Sequence, residues 1–200
     1  MAALPKTAPD FPPSRMTVAE FLDWPGDGTG ARYELIDGEI RAMAPASVTH
    51  GIMQANIGSV IYEHLKGTPC RVVSTPGVVP RVRADMNMRV PEIAVNCKPD
   101  EPGQRALPDP ILIIEILSPS NERETRDNVW AYASIPSIRE ILLVRSTDMG
   151  AELFRRQADD TWPPRPKTIA ASAELVLESI EFRAALREFY SDTHLIRDLH

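Results

Sequence analysis

The sequence predicts one mixed α/β (α+β) domain, with a mixed central β-sheet flanked by helices. Its 200 residues suit a single domain with short arms. Short apolar runs of strand length alternate with helix-length segments, and the 19 prolines argue against a long helical bundle because proline interrupts helices. Four prolines fall at positions 5, 9, 12 and 13, so we expect residues 1–15 to form a disordered arm and residues 16–200 the domain.

The first part of the chain is predicted to form a capped helix, a hairpin and a long helix. Thr17 and Glu20 have the spacing of a capping box, which begins a short helix. Asp37 and Gly38 lie between two strand-like runs and indicate a tight hairpin turn. Apolar residues recur at helical spacing over residues 50–66, which predicts an amphipathic helix.

The remaining elements are predicted from apolar alternation and from the turn residues between the runs. A capping pattern at Asn121 begins a helix that reaches about residue 134. A loop rich in proline and glycine covers residues 98–110. The predicted strands cover residues 70–75, 78–83, 90–97, 111–117, 139–145 and 151–156, and a closing helix covers residues 182–189.

Composition and charge argue against several classes of protein. The net charge of -6 does not suit a basic protein that coats nucleic acid. The chain has no apolar run of membrane length and no segment like a signal peptide, so we expect a cytoplasmic protein that does not contact membranes. Cys70 and Cys97 do not make a disulfide framework, and no pair has the spacing of a zinc site.

Glu115 is anomalous because the run around it, residues 111–117, is otherwise apolar. Apolar residues on both faces are typical of a central strand that is covered on both sides. A carboxylate is rarely buried in such a place unless it is paired or binds a cation. Both an ion pair with an arginine and a role as a metal ligand remain open.

The neighbouring predicted strand begins with a second acid, Glu92. Alternation places Glu92, Ala94 and Asn96 on one face, which is small and polar. An isolated acid at a strand start is more often a surface group, but Glu92 beside Glu115 is a candidate second ligand. Converging carboxylates suit Mg²⁺ or Mn²⁺, and they repel each other unless a cation or proton lies between them.

Four phrases of the sequence occur in the order typical of one known family. They are YELIDGEI at residues 33–40, His50 at a helix start, VPEIAV at residues 90–95 and IEILSPS at residues 114–120. In this order they resemble the bacterial Uma2 family of the restriction-endonuclease-like, PD-(D/E)XK nuclease superfamily. The resemblance covers about residues 16 to 157. It implies a restriction-endonuclease-like core in which acids at the sheet centre hold a divalent ion.

The resemblance implies a role for each of five residues. Glu92 takes the place of the aspartate in the PD motif, Glu115 that of the second acid, and both would bind Mg²⁺ or Mn²⁺. Glu34 is a third candidate ligand, although it could simply be an exposed acid of the hairpin. His50 would support the metal or orient water, although it could also cap or pack. Asn128 occupies the position where this branch is expected to carry a lysine.

The asparagine at position 128 weakens the expectation of catalysis, because an amide carries no positive charge. Arg123 or Arg126 is the candidate replacement, although a guanidinium differs in geometry from an ammonium group. An acidic chain would also need clustered arginines to hold nucleic acid. The candidates are Arg81, Arg83 and Arg89.

Three hypotheses follow from the sequence. The leading one is a Mg²⁺- or Mn²⁺-dependent endonuclease that hydrolyses the phosphodiester bonds of nucleic acid, with DNA as the expected substrate and a homodimer as the expected assembly. The second is a catalytically degenerate nuclease fold that acts as a DNA-binding or protein-interaction module. The third is a structural domain in which Glu115 only pairs with an arginine.

Overall fold

The structure, a computed structural model, describes residues 15–197. The arm predicted for residues 1–15 lies outside these residues except for Arg15, and so do the last three residues of the predicted domain. The elements in chain order are α1 (Val18–Asp23), β1 (Tyr33–Ile36), β2 (Glu39–Ala42), α2 (Val48–Leu65), β3 (Arg71–Ser74), β4 (Ile93–Asn96), β5 (Leu112–Leu117), α3 (Glu122–Ala133), β6 (Glu140–Arg145), β7 (Gly150–Arg155), β8 (Lys167–Ala170), β9 (Glu174–Leu177), β10 (Phe182–Ala185) and α4 (His194–Arg197).

Six strands form one mixed sheet in the order β3-β4-β5-β6-β7-β8. β5 and β6 run parallel, and the other neighbouring pairs are antiparallel. A parallel pair needs a crossover connection, and α3 supplies it between β5 and β6. The predicted fold class, a mixed sheet flanked by helices, is therefore confirmed.

The two faces of the sheet are covered by different helices. On one face, Ile57 of α2 belongs to the same apolar cluster as Ile93 of β4 and Ile114 of β5. On the other face, Val129 of α3 packs with Ile113 of β5. Alternation along β5 therefore turns Glu115 toward the α3 face.

The hairpin of β1 and β2 forms at the predicted turn. Asp37 and Gly38 have φ angles of 52° and 84°, which a type I′ turn requires at both central positions. Leu35 of β1 then exchanges backbone hydrogen bonds of 2.9 Å with Met88, so the hairpin is fastened to the segment before β4. The fastening brings β1 close to the carboxylates of β4 and β5.

Two predicted elements are wrong, and two strands were not predicted. Residues 78–83 form no strand, because only Val78 makes an isolated bridge, with Arg89, before the chain turns. The predicted closing helix is instead β10, paired with β9, followed by a 3₁₀ segment at Leu186–Tyr190. β8 and β9 were missed.

Cys70 and Cys97 are joined by a disulfide bond. The two cysteines were not predicted to form a disulfide framework, and this single bond was not foreseen from the sequence. The bond links the start of β3 to the end of β4 at one edge of the sheet. Separately, no helix among the described residues is long and apolar enough to cross a membrane.

Candidate active site

An open cavity of about 380 Å³ lies between the β1–β2 hairpin, the start of α2, the end of β5 and the first turns of α3. Its walls contain all five residues that the resemblance singled out, and each of them is at most 7% exposed. The chain separates them by up to 94 positions, so only the fold brings them together. They are Glu34, His50, Glu92, Glu115 and Asn128.

His50 is positioned by the way α2 begins. Ser47 is the N-cap of the helix, and its hydroxyl accepts a hydrogen bond of 3.2 Å from the backbone nitrogen of His50. This fixes the imidazole in the first turn, where its Nε2 donates to Oε1 of Glu92 at 2.8 Å. His50 therefore lies in the capped first turn of the helix and also contacts a carboxylate.

Glu92 has one satisfied and one unsatisfied oxygen. Oε1 accepts from His50, whereas Oε2 is buried and has no hydrogen-bond partner. The backbone of Glu92 is also held in place, because its carbonyl accepts hydrogen bonds from the backbone of Thr75 at 3.0 Å and from the side chain of Gln54 at 3.2 Å. A buried oxygen without a partner is costly, and a bound cation is one group that would satisfy it.

Glu115 is buried in β5 without a cationic partner. The hydroxyl of Tyr132 donates to its Oε1 at 2.6 Å, and the backbone nitrogen of Glu92 donates to its Oε2 at 3.2 Å. Burial, together with the nearby charges of Glu34 and Glu92, raises the pKa of Glu115 to about 8, against the lowering effect of the hydrogen bond from Tyr132. Within residues 15–197, no arginine or lysine forms an ion pair with Glu115.

Glu34 is buried and is not an exposed hairpin acid. Its Oε1 accepts from the backbone nitrogen of Val90 at 2.7 Å, and its Oε2 accepts from Nδ2 of Asn128 at 3.4 Å. Burial raises the pKa of Glu34, while the Val90 hydrogen bond and the charge of Arg89 oppose that rise. Three buried carboxylates therefore line one cavity, and burial raises the pKa of two of them.

Arg89, named from the sequence with Arg81 and Arg83 as a candidate to hold nucleic acid, is buried to 8% exposure. Its Nε donates to Oδ1 of Asn128 at 2.8 Å, and its Nη1 donates to the carbonyl of Leu35 at 2.7 Å and to Oδ1 of Asn87 at 3.1 Å. Arg81 and Arg83 are exposed, so the three arginines do not form one exposed cluster. Arg89 has no hydrophobic periodicity or motif that could have indicated its burial.

The two arginines proposed to replace the missing lysine lie elsewhere. Arg126 is held by Glu152 of β7 at 2.7 Å and by Glu122 at 3.0 Å, and it does not line the carboxylate cavity. Arg123 is exposed and lines a neighbouring cavity. Tyr132 is fully buried on α3, and its hydroxyl reaches Glu115. The signal was its spacing, since residues four apart, here Asn128 and Tyr132, share one face of a helix.

The donor set suits a hard divalent cation. Among residues 15–197, no three His, Cys, Asp or Glu side chains are arranged as a ready-made metal cluster. The three carboxylates nevertheless supply the oxygen ligands that Mg²⁺ and Mn²⁺ prefer. Oε2 of Glu92 is buried without a partner, and burial beside two other carboxylates raises the pKa of Glu115, with which no lysine or arginine of residues 15–197 forms an ion pair. Both observations fit a cation bound by this cavity.

Comparison with known proteins places this arrangement in a family. A family model for Uma2, described as "Putative restriction endonuclease", matches residues 18–186. An uncharacterised protein of Synechocystis sp., slr1290, is 28% identical over 185 residues, which cover 92% of this chain and 95% of the relative. The crystal structure of "a putative nuclease belonging to DUF820" from Anabaena variabilis superposes with a TM-score of 0.69 at 20% identity, covering 88% of this chain and 98% of that one.

Proposed function

Because this chain belongs to the Uma2 family, we propose that it is a Mg²⁺- or Mn²⁺-dependent endonuclease that hydrolyses the phosphodiester bonds of nucleic acid. DNA is the substrate we expect, in the cytoplasm. The family is described as one of restriction endonucleases and the Anabaena variabilis protein as a nuclease, which supports this reaction class.

The observation that carries the proposal is the set of three buried carboxylates around one cavity. Glu34, Glu92 and Glu115 come from three different segments, and no lysine or arginine within residues 15–197 forms an ion pair with any of them. A protein that needed these acids only for stability would pair them, because unpaired buried charge destabilises the fold. Their excess negative charge is instead suited to a divalent ion.

Glu92, Glu115 and Glu34 would hold the ion. When bound, a divalent ion lowers the pKa of water and stabilises the negative charge that develops on a phosphate during hydrolysis. His50 occupies Oε1 of Glu92 and leaves Oε2 unpartnered. Tyr132 holds Oε1 of Glu115 at 2.6 Å, which favours the ionised carboxylate. These contacts fix the orientation of the two principal ligands before any ion binds.

The second hypothesis, a degenerate nuclease fold that only binds DNA or protein, rests on Asn128. No lysine or arginine of residues 15–197 forms an ion pair with the buried carboxylates, an arrangement that such a module would not need. The descriptions of the family and of the Anabaena variabilis protein name nucleases and do not favour the alternative. A homodimer stays a prediction, for which sedimentation of the full chain is the measurement.

The test is cleavage of plasmid and single-stranded DNA with Mg²⁺ or Mn²⁺. We expect the parent to cut and Glu115→Gln to lose about a thousandfold or more of the rate, since the substitution removes a ligand charge. Glu101→Gln is the matched control, because Glu101 is exposed in the loop after β4 and lines no cavity described above. A parent no faster than Glu115→Gln with either ion would contradict the proposal.

Metal binding is measured in parallel by calorimetry without nucleic acid. We expect Mn²⁺ to bind the parent and to bind Glu92→Gln at least about tenfold more weakly, because an amide is a poorer ligand for a hard ion. Equal affinity in both proteins would remove Glu92 from the ligand set.

A further inference from the structure

Arg89 is a buried cation whose charge is not paired with a carboxylate. Its three hydrogen-bond acceptors are neutral oxygens, those of Asn128, Leu35 and Asn87. Within residues 15–197, no carboxylate lies within ion-pair distance of its guanidinium, and no hydrogen bond satisfies its Nη2. Buried arginines are ordinarily paired, because taking an unpaired charge out of water is costly. The arrangement therefore orients the guanidinium and leaves its charge available.

Arg89 opens onto a second cavity that adjoins the carboxylate cavity. This cavity has a volume of about 820 Å³, and Asn128 and Ser120 belong to the walls of both. Asn128 stands between the two, accepting from Arg89 on one side and donating to Glu34 on the other. The other charged groups around the second cavity are Arg41, Arg123, Glu122, Glu124 and Asp127.

Most of these other charges are exposed or already engaged. Arg41 lies 3.6 Å from Glu39, Glu122 is paired with Arg126 at 3.0 Å, and Arg123 is exposed to water. Exposed charges are screened by water and salt, whereas a buried charge acts at full strength on a ligand in the cavity. Arg89 is therefore the group that dominates the recognition of an anion there.

We propose that the second cavity is a phosphate subsite, in which Arg89 binds the backbone phosphate next to the one that lies over the carboxylates. The inference rests on the proposed function for the identity of the ligand, a nucleic-acid strand. Guanidinium groups match phosphate oxygens with charge-assisted hydrogen bonds, and Nη2 is the donor left for that contact. Asn128 acts as a positioning residue, since it holds Nε of Arg89 and separates the cation from Glu34.

This assignment changes what a lysine at position 128 would do. In Asn128→Lys an ammonium group would face Nε of Arg89, which would lose its acceptor and gain a like charge nearby. We expect Asn128→Lys to abolish the contribution of Arg89 to binding, because the guanidinium is no longer held in place, so adding Arg89→Gln to this variant should change the affinity for nucleic acid little. A further loss of about tenfold in the double variant would contradict the positioning role of Asn128.

The experiment measures binding without cleavage. In a Glu115→Gln background, a fluorescent single-stranded DNA oligonucleotide is titrated with the full chain at several salt concentrations. We expect Arg89→Gln to bind about tenfold more weakly and to lower the slope of log affinity against log salt by about 0.7 to 1, the value for one phosphate contact. The matched control is Arg183→Gln, which removes the same charge from an exposed residue of β10 that is paired with Glu174.

Equal slopes for Arg89→Gln and Arg183→Gln would overturn the subsite. If Arg89→Gln does not fold, the Nε–H resonance of Arg89 is followed by NMR in the Glu115→Gln protein. Its shift on addition of the oligonucleotide supports the contact, and an unchanged resonance at saturation overturns it. This test is independent of the cleavage test of the proposed function. A chain that does not cut DNA can still bind the oligonucleotide, and the salt slope then shows whether Arg89 takes part.

Discussion

Glu140 and Glu115 are buried glutamates in the neighbouring parallel strands β6 and β5, and they differ in what surrounds them. Oε1 of Glu140 accepts from Arg155 at 2.7 Å and from the backbone of Glu178 at 3.2 Å. Its Oε2 accepts from the backbone and the hydroxyl of Ser179 at 2.9 and 2.6 Å. Glu115 has two neutral donors and no cation.

We interpret this difference as that between a structural carboxylate and a proposed metal ligand. Around Glu140 every hydrogen-bonding position is used, so the group joins β6 to the segment after β9 and has no capacity for a ligand. Around Glu115 no cation offsets the effect of burial, which, with the charges of Glu34 and Glu92, raises the pKa of the group to about 8. Burial alone therefore does not identify a site, whereas burial without compensation does.

The largest effect on stability is expected from replacing Glu140, the carboxylate whose hydrogen-bonding positions are all used. Glu140→Leu leaves the partly buried donors of Ser179 and Glu178 without an acceptor and removes a partner of Arg155, four hydrogen bonds in all, so the free energy of unfolding should fall by about 3–5 kcal/mol. Urea denaturation measures the loss. DNA cleavage by the fraction that remains folded should be unchanged. A loss below about 1 kcal/mol would show that the hydrogen bonds of Glu140 contribute little to the stability of the fold.

Glu115→Gln should have the opposite effect on stability. Since the pKa of Glu115 is about 8 in the folded chain and near 4.5 when unfolded, the folded state holds a proton that the unfolded state has lost between these values. The free energy of unfolding of the parent should therefore fall with rising pH, by up to about 1.4 kcal/mol per pH unit from this group.

Glu115→Gln removes this contribution, so its advantage over the parent should grow from about pH 5 to pH 8. Denaturation with a chelator present, at several pH values, measures the difference. The stability of Glu115→Gln should still depend on pH to some extent, because burial also raises the pKa of Glu34. A constant difference across this range would mean that the pKa of Glu115 is not raised.

The smallest of these effects is expected from Tyr132→Phe. The tyrosine hydroxyl lowers the pKa of Glu115 by donating to its carboxylate, so its removal raises that pKa and leaves less of the ionised ligand near neutral pH. Mn²⁺ affinity at neutral pH should fall about threefold to tenfold and recover as the pH rises. Calorimetry at two pH values checks this. An equal loss at both would point to altered packing of α3.

Much of the fold follows from local patterns in the sequence. The alternation of β4, the continuous apolar run of β5, the helical spacing of α2 and the turn at Asp37 and Gly38 each predicted the element that the structure contains. The segment after β9 shows where such patterns fail. Phe182, Leu186 and Phe189 are buried at a spacing that also suits a helix, but pairing with β9 makes the first part a strand. Long-range pairing overrode local preference there.

The sequence by itself determined that Glu115 is exceptional, because an acid inside an apolar strand signals an unusual environment whatever the rest of the fold. It could not distinguish Glu115 from Glu140, nor foresee that Arg89 is buried. Those outcomes depend on partners far along the chain, such as Ser179 for Glu140 and Asn128 for Arg89. Compensation of a buried charge is a property of its neighbours in space, and only the tertiary structure decides which neighbours it has.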